Sequence, residues 1–537
     1  MRQSYLKNAA LMTGADVLLR LAGMGLRIYL AYALGGEGMG LYQLVLAVYS
    51  LFVTLATAGV SVAATRLMAE EFSRSRAEAR GMLVRLLAAG LGLGVAAMGA
   101  QFGLAGLAAQ WWLGDLRGAA ALRMAAFGLP WMAVSAVLRG FFIARRRVEP
   151  NVVSQLGEQI VRVAVICFAL ERAQAADAGT KCAAVLAATA VSEAVSASVM
   201  LLFYRREAAR CFAGQSAVHP QEPTRRLWEI LWPVEGGRCL SSALHTAENM
   251  LVPACLTVWL ASEGRGGREA AVTQYGCLKG MALPLLTFPF GLLGSLAVLL
   301  MPEITQAHIR GETRRLQQLL DRMLRLTGYF SALAGAAFWV WGRPLARMLY
   351  RSEEAGFYLE VLGPVLPLLS LESMVDGAMK GIGEQRAEFR YSVWNSVFRI
   401  AGVMLLLPRF GMKGFLGVIL LSACYTCAAN TGRLLRCCAM KPLVGRWLGA
   451  PALAAMLSAG AGILLRQGFS GLLAGNGLLP LAAIALGGSG MCAVYLAAAW
   501  PLGLGQEIRE ILRQERKVEK TMKNAGNAES SGHRKKN

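Results

Sequence analysis

The sequence is poor in charge: Asp, Glu, Lys and Arg make up 16% of its 537 residues, against about 25% in an average soluble chain. Histidine is scarcer still, with four in all. The sequence has no phosphate-binding Gly-x-x-x-x-Gly-Lys-[Ser/Thr] loop and no His-Glu-x-x-His pair, so it carries no ATPase of its own and no zincin chemistry. No nucleophile stands beside a base at a recognisable spacing, and His245, alone in its segment, reads as a polar contact. An enzyme is not expected. Eleven cysteines are present, with Cys424-x-x-Cys427 and Cys437-Cys438 the only close spacings. None of His219, His245, His308 and His533 is near them, so the pattern falls short of a zinc site. No metal or other cofactor is expected. Acid is also short, at 33 Asp+Glu against 55 Lys+Arg, for a formal net charge of +22.

What fills the chain is apolar: 55% hydrophobic residues and a mean hydropathy of +0.46. Residues 38–65, 86–114, 280–302 and 467–506 contain no charge at all. A membrane-spanning helix needs roughly 20 apolar residues, and each window supplies them. The pattern predicts an all-α polytopic membrane protein. Fourteen spans are expected, at 9–34, 41–65, 86–109, 122–143, 152–170, 182–204, 228–260, 276–301, 326–349, 358–379, 391–408, 414–435, 446–465 and 479–503. Asp16, Arg20 and Arg27 interrupt the first, which reads as a retained helix and not as a cleaved signal.

The cations cluster between spans. Arg145-Arg146-Arg147, Arg205-Arg206 and Arg433 with Arg436 are examples. This is the bias of cytoplasmic loops, and it accounts for the net charge without nucleic acid. It places both termini of a multi-pass membrane protein in the cytoplasm, with Arg343, Arg347 and Arg351 as the exception on the outer side. A weak repeat pairs the second span with the eighth: Gly40 leads over 26 positions to Arg66, and Gly276 over 26 to Pro302. Two lobes of six helices follow, 1–215 and 216–440, then an added pair at 441–503 and a basic cytoplasmic tail at 504–537.

Ionisable groups at membrane depth are costly and usually face a bundle interior or a wet cavity. Asp16, Arg20, Gly23 and Arg27 fall at i, i+4, i+7 and i+11, one stripe of a helix. Gln155, Glu158 and Arg162 make a second stripe. Glu235, Arg238, Ser242, His245 and Asn249 make a third, with Glu248 beside it. Glu372 with Asp376 and Asn395 with Arg399 make two more, and Lys279 opens the eighth span. Each charge alone is as well explained by a structural ion pair; five aligned faces together point to a hydrated cavity. Its candidate cationic ligands are Arg20, Arg27, Arg162, Lys279, Arg238 and Arg399. Its acids are Asp16, Glu158, Glu193, Glu235, Glu248, Glu372 and Asp376.

Several short motifs are familiar. Tyr5-Leu6-Lys7, Arg20-Leu21-Ala22-Gly23, Arg27-Ile28-Tyr29-Leu30 and the run from Leu34 to Gln43 are four. Thr57-Ala58-Gly59-Val60, Gln159-Ile160-Val161-Arg162-Val163, Tyr275-Gly276 and Gly280-Met281-Ala282-Leu283-Pro284-Leu285 are others. Together they resemble the stage V sporulation protein B-like family, in the polysaccharide-exporter branch of the multidrug/oligosaccharidyl-lipid/polysaccharide (MOP) superfamily. The resemblance implies a V-shaped, two-lobed, alternating-access flippase for undecaprenyl-pyrophosphate-linked sugars, in sporulation, cell-wall (peptidoglycan) or polysaccharide synthesis. It also implies that Arg20 and Arg27 match two headgroup-binding arginines of the first helix. The arginine that lipid II flippases place in the eighth span has no counterpart near Pro284-Leu285, and Lys279 lies more than a turn earlier. The expected partners are the undecaprenyl-linked glycan lipid, membrane lipid, a coupling H+ or Na+, and wall-synthesis proteins. The rival expectation is a cation-coupled multidrug exporter, with Asp16, Glu248 and Asp376 as its ion sites.

Overall fold

With no water to take up backbone N–H and C=O groups, a chain this apolar must satisfy them within each segment. It does so with helices alone. The structure is a computed structural model that describes residues 2–212, 223–473, 479–506 and 509; among these there is no strand. Among the described residues fourteen long helical segments follow one another, with a one-turn helix at Ser470–Leu473 besides. They are α1 (2–34), α2 (36–74), α3 (Arg76–Leu113), α4 (Gly118–Ala144), α5 (Glu149–Arg172), α6 (Ala178–Cys211) and α7 (Pro223–Ser262). Then come α8 (268–309), α9 (Thr313–Tyr350), α10 (Glu353–Gly381), α11 (385–410), α12 (412–437), α13 (Gly445–Gly468) and α14 (Leu479–Leu504). Each overlaps one of the expected spans and mostly extends beyond it into charged turns. The protein is an all-α multi-pass membrane protein. The basic tail expected at 504–537 lies, apart from residues 504–506 and 509, outside the described residues.

Local chemistry sets the breaks. Gly35, at φ 68° and ψ −174°, separates α1 from α2, and Gly411, at φ 57°, separates α11 from α12. A side chain would disfavour that left-handed region. Ser75 caps α3 by accepting the Ala77 N–H at 3.2 Å. Asp177 caps α6 by accepting the Gly179 N–H at 3.1 Å. Both satisfy donors that a helix start leaves open.

The chain forms two compact units. The first comprises 1–291, 349–355 and 389–422. One of its cores joins Leu67 and Met68 of α2, Met82 and Leu86 of α3, Phe141 and Phe142 of α4 and Leu231 of α7. The Phe141 ring meets those of Phe142 and Tyr204 edge-on, with centroids 5.1 and 5.7 Å away, the arrangement aromatic quadrupoles favour. The second unit comprises, among the described residues, 292–348, 356–388, 423–473, 479–506 and 509. There the added pair α13 and α14 packs on α9. Tyr495 donates to the Tyr329 carbonyl at 2.7 Å, Tyr329 donates to the Leu502 carbonyl at 2.6 Å, and Met491 lies against Ala336 and Val340.

The repeat seen in the sequence has a physical counterpart inside the first unit. A methyl added at Gly40 would strike the Val272 carbonyl, and one added at Gly276 would strike the Gly36 carbonyl. Residues 36 and 272 occupy equivalent places in the two repeats, so the contact is reciprocal, as expected about a two-fold axis. Lipid tails are as apolar as side chains, so helices in a bilayer associate by close packing, and small residues permit it.

Candidate functional site

The polar faces resolve into separate clusters. On α1, Arg20, Gly23 and Arg27 stack along one stripe because helical side chains at these spacings overlie one another. The stripe faces Pro284, Thr287 and Phe288 of α8 across a cavity of about 260 Å³. Pro284 sits in the first turn of a short helical piece of α8, where its missing N–H costs nothing. Thr287 turns its hydroxyl back onto the Leu283 carbonyl at 2.9 Å. Gly291 leaves space for the Arg20 stem: an added methyl there would come 2.6 Å from Arg20 Cδ. Arg20, Arg27 and Asp16 are exposed, and among the described residues neither arginine has an ion-pair partner. Two unneutralised guanidiniums therefore border one pocket.

The other membrane-depth arginines differ. Arg162 of α5 reaches Glu158 at 2.5 Å and Glu193 of α6 at 2.9 Å, and its Nε donates to Ser192 at 3.3 Å. Arg139 of α4 holds the second Glu158 oxygen at 3.3 Å. Two cations and two anions close a balanced network across α4, α5 and α6. Arg399 of α11 pairs with Glu248 of α7 at 2.5 Å; their side chains are 19% and 2% exposed. Lys279, in the wide π-turn Gly276–Ala282, stands within electrostatic range of both Glu248 and Arg399. His245 is within range of Glu248, Lys279 and Arg399. This second cluster keeps one cation beyond its ion pair.

Arg238 is exposed on α7 and Glu235 is buried. Glu235 accepts the Gly59 N–H of α2 at 2.5 Å and lies 3.4 Å from the Cys239 thiol. In the second unit, Asp376 of α10 accepts from the Asn430 amide of α12 at 2.6 Å, and Glu372 acts on the same carboxylate. The expected ligand set is thus not one constellation. Arg20 and Arg27 share a pocket, Lys279 and Arg399 share a cluster, Arg162 belongs to a third, and Arg238 stands apart.

Sequence reasoning passed over Arg139, Thr287 and Gly291. Arg139 left a usable signal, being the one charge between Leu129 and Ala144. Thr287 and Gly291 left none, because only the approach of α1 gives them a role.

Comparison with known proteins gives this arrangement a context. A family model described as polysaccharide biosynthesis protein matches residues 5–257. Stage V sporulation protein B of Bacillus subtilis (strain 168) is 25% identical over 419 residues, 77% of this chain and 80% of that protein. Sporulation protein YkvU of the same strain is 22% identical over 411 residues, 76% of this chain and 87% of that one. Among solved structures, the lipid II flippase MurJ in an inward closed conformation superposes with a TM-score of 0.69 at 12% identity, covering 93% of this chain and 98% of that one. The two chains share one fold. An inward-facing multidrug resistance MATE transporter of the MOP superfamily gives 0.64 at 14% identity, covering 80% of this chain and 98% of its own. The MurJ match takes in more of this chain than the MATE match does.

Proposed function

We propose that the protein is a flippase for a lipid-linked glycan, moving undecaprenyl-pyrophosphate-linked sugars across a bacterial cell membrane by alternating access, with both termini in the cytoplasm. One observation carries the reading: Arg20 and Arg27 border a single pocket without acidic partners, while Arg139, Arg162 and Arg399 are matched by carboxylates. Cations kept unneutralised at membrane depth are costly, and a dianionic headgroup is the natural counter-charge. Arginine offers bidentate donors that fit phosphate oxygens. The prenyl chain stays in lipid while the headgroup passes along the protein. Lys279 supplies further positive charge on α8, and the balanced Arg139–Glu158–Arg162–Glu193 network braces α4, α5 and α6. The similarity to a polysaccharide biosynthesis family and to stage V sporulation protein B supports a role in wall, spore or polysaccharide synthesis.

The test is leaflet exchange of a fluorescent undecaprenyl-pyrophosphate oligosaccharide in liposomes, with and without an ion gradient. Exchange should fall steeply in Arg20→Ala and Arg27→Ala. Full exchange by both variants would remove the reading.

The second reading, a cation-coupled exporter of cationic amphiphiles, draws on the Asp376–Asn430 pair with Glu372 beside it and on Asp16, exposed on the α1 stripe. Drug resistance on expression that disappears in Asp16→Asn would establish it.

A further inference from the structure

We propose that a second cavity, about 510 Å³ at the other end of the α1–α8 trough, is a glycan subsite. It takes the neutral sugar portion of the substrate while Arg20 and Arg27 hold the pyrophosphate. The proposal rests on the flippase reading and deepens it.

Both cavities lie between the same two antiparallel helices. The first is bounded by residues 20–27 of α1 and 284–288 of α8, the second by 31–36 and 273–281. Gly23 and Tyr32 are nine residues apart, about 14 Å at a rise of 1.5 Å per residue. That separation suits a headgroup whose sugars extend from its phosphates along the trough.

The second cavity is built differently from the first. Tyr32 is 63% exposed, and the Arg351 guanidinium lies 5.0 Å from the centroid of its ring. Arg351 adopts φ 53°, a conformation that non-glycine residues hold only when their surroundings fix it. Tyr350 is 5% exposed, yet its hydroxyl has no hydrogen-bond partner among the described residues. An unpaired buried hydroxyl is unfavourable, and Tyr350 is one of the residues that line this cavity. Glu353 and Glu354 line the same space and outnumber Arg351, which disfavours a second phosphate. An exposed aromatic ring with a guanidinium on one face, a buried tyrosine and two carboxylates together are the chemistry of a polyhydroxylated, uncharged ligand.

The experiment uses the full chain in liposomes and two fluorescent undecaprenyl pyrophosphates, one bearing a neutral disaccharide and one without sugar. Tyr32→Ala should slow the disaccharide lipid about tenfold, the upper range of a single aromatic contact, and leave the sugar-free lipid within about twofold. Tyr32→Phe should behave as wild type, and Arg20→Ala should slow both lipids. Equal slowing of both by Tyr32→Ala, or no slowing, overturns the subsite and leaves the flippase reading intact. Movement of neither lipid by the wild type removes the flippase reading instead. Saturation-transfer NMR of the detergent-solubilised full chain with the soluble disaccharide then decides. Saturation that disappears in Tyr32→Ala upholds the subsite, and its absence in the wild type overturns it.

Discussion

Gly276→Ala offers the sharpest test of the packing at the repeat axis. The added methyl would meet the Gly36 carbonyl and the Gly40 amide nitrogen closer than real Cβ atoms come. Both obstacles are backbone of α2, so no side chain can swing aside, and α2 and α8 must separate. Separation would also loosen Gly280 against Met39, where an added methyl would sit 2.8 Å from Met39 Cε. Overpacking a tight contact costs about 1–3 kcal/mol, and a backbone obstacle belongs at the upper end. Alanine returns up to about 1 kcal/mol of helix propensity. The net expectation is a loss of about 2 kcal/mol, roughly a thirtyfold shift toward the unpacked state. Gly417→Ala and Gly460→Ala are the controls, because nothing lies within 4 Å of a methyl at either position. They should be neutral or slightly stabilising. Thermal unfolding of the detergent-purified protein, read by size-exclusion chromatography after heating, should show Gly276→Ala and Gly40→Ala melting early. Because both press on one contact, the double variant should fall short of the sum. A Gly276→Ala protein that melts with the controls would refute the close approach.

Three further outcomes are expected. Glu248→Gln leaves Arg399 and Lys279 as neighbouring like charges, at a cost of about 3–5 kcal/mol, whereas Arg399→Gln leaves Glu248 facing Lys279 and should cost less. The double replacement should be milder than Glu248→Gln alone, and strict additivity in the unfolding free energies would show that the pair is uncoupled. Gly291→Leu should displace the flexible Arg20 side chain with little effect on melting yet reduce lipid transport as Arg20→Ala does; wild-type transport would show that the position of Arg20 is unimportant. Burial pushes the Asp115 carboxyl up, but Arg117, 2.8 Å away, outweighs it and holds the group below the ordinary carboxylate range. Its stabilisation is therefore present above the ordinary value and is lost as pH falls through the lower folded one. Over that acid window Asp115→Asn should lose less stability than wild type, by a modest amount at a surface site, and superimposable acid curves would contradict the assignment.

The sequence alone determined the helices. A charge-free window long enough to cross a bilayer has few alternatives to a helix, so the fourteen spans were legible to within a few residues at most ends. The stripes at 16–27, 155–162 and 235–249 were legible for the same local reason, since helical periodicity depends only on spacing. The repeat was visible as matched distances from Gly40 and Gly276. What the charges do was decided by tertiary structure. Arg20, Arg162 and Arg399 read alike along the chain, each an arginine on the polar face of an otherwise apolar segment. Arg162 is neutralised by Glu193, 31 positions away, and Arg399 by Glu248, 151 positions away. Arg20 instead faces Thr287 and Phe288, where no acid stands. Whether a membrane arginine is a brace or a ligand depends on which helix packs against it. That choice is made by the close fit of residues such as Gly40 and Gly276, far from the arginines themselves.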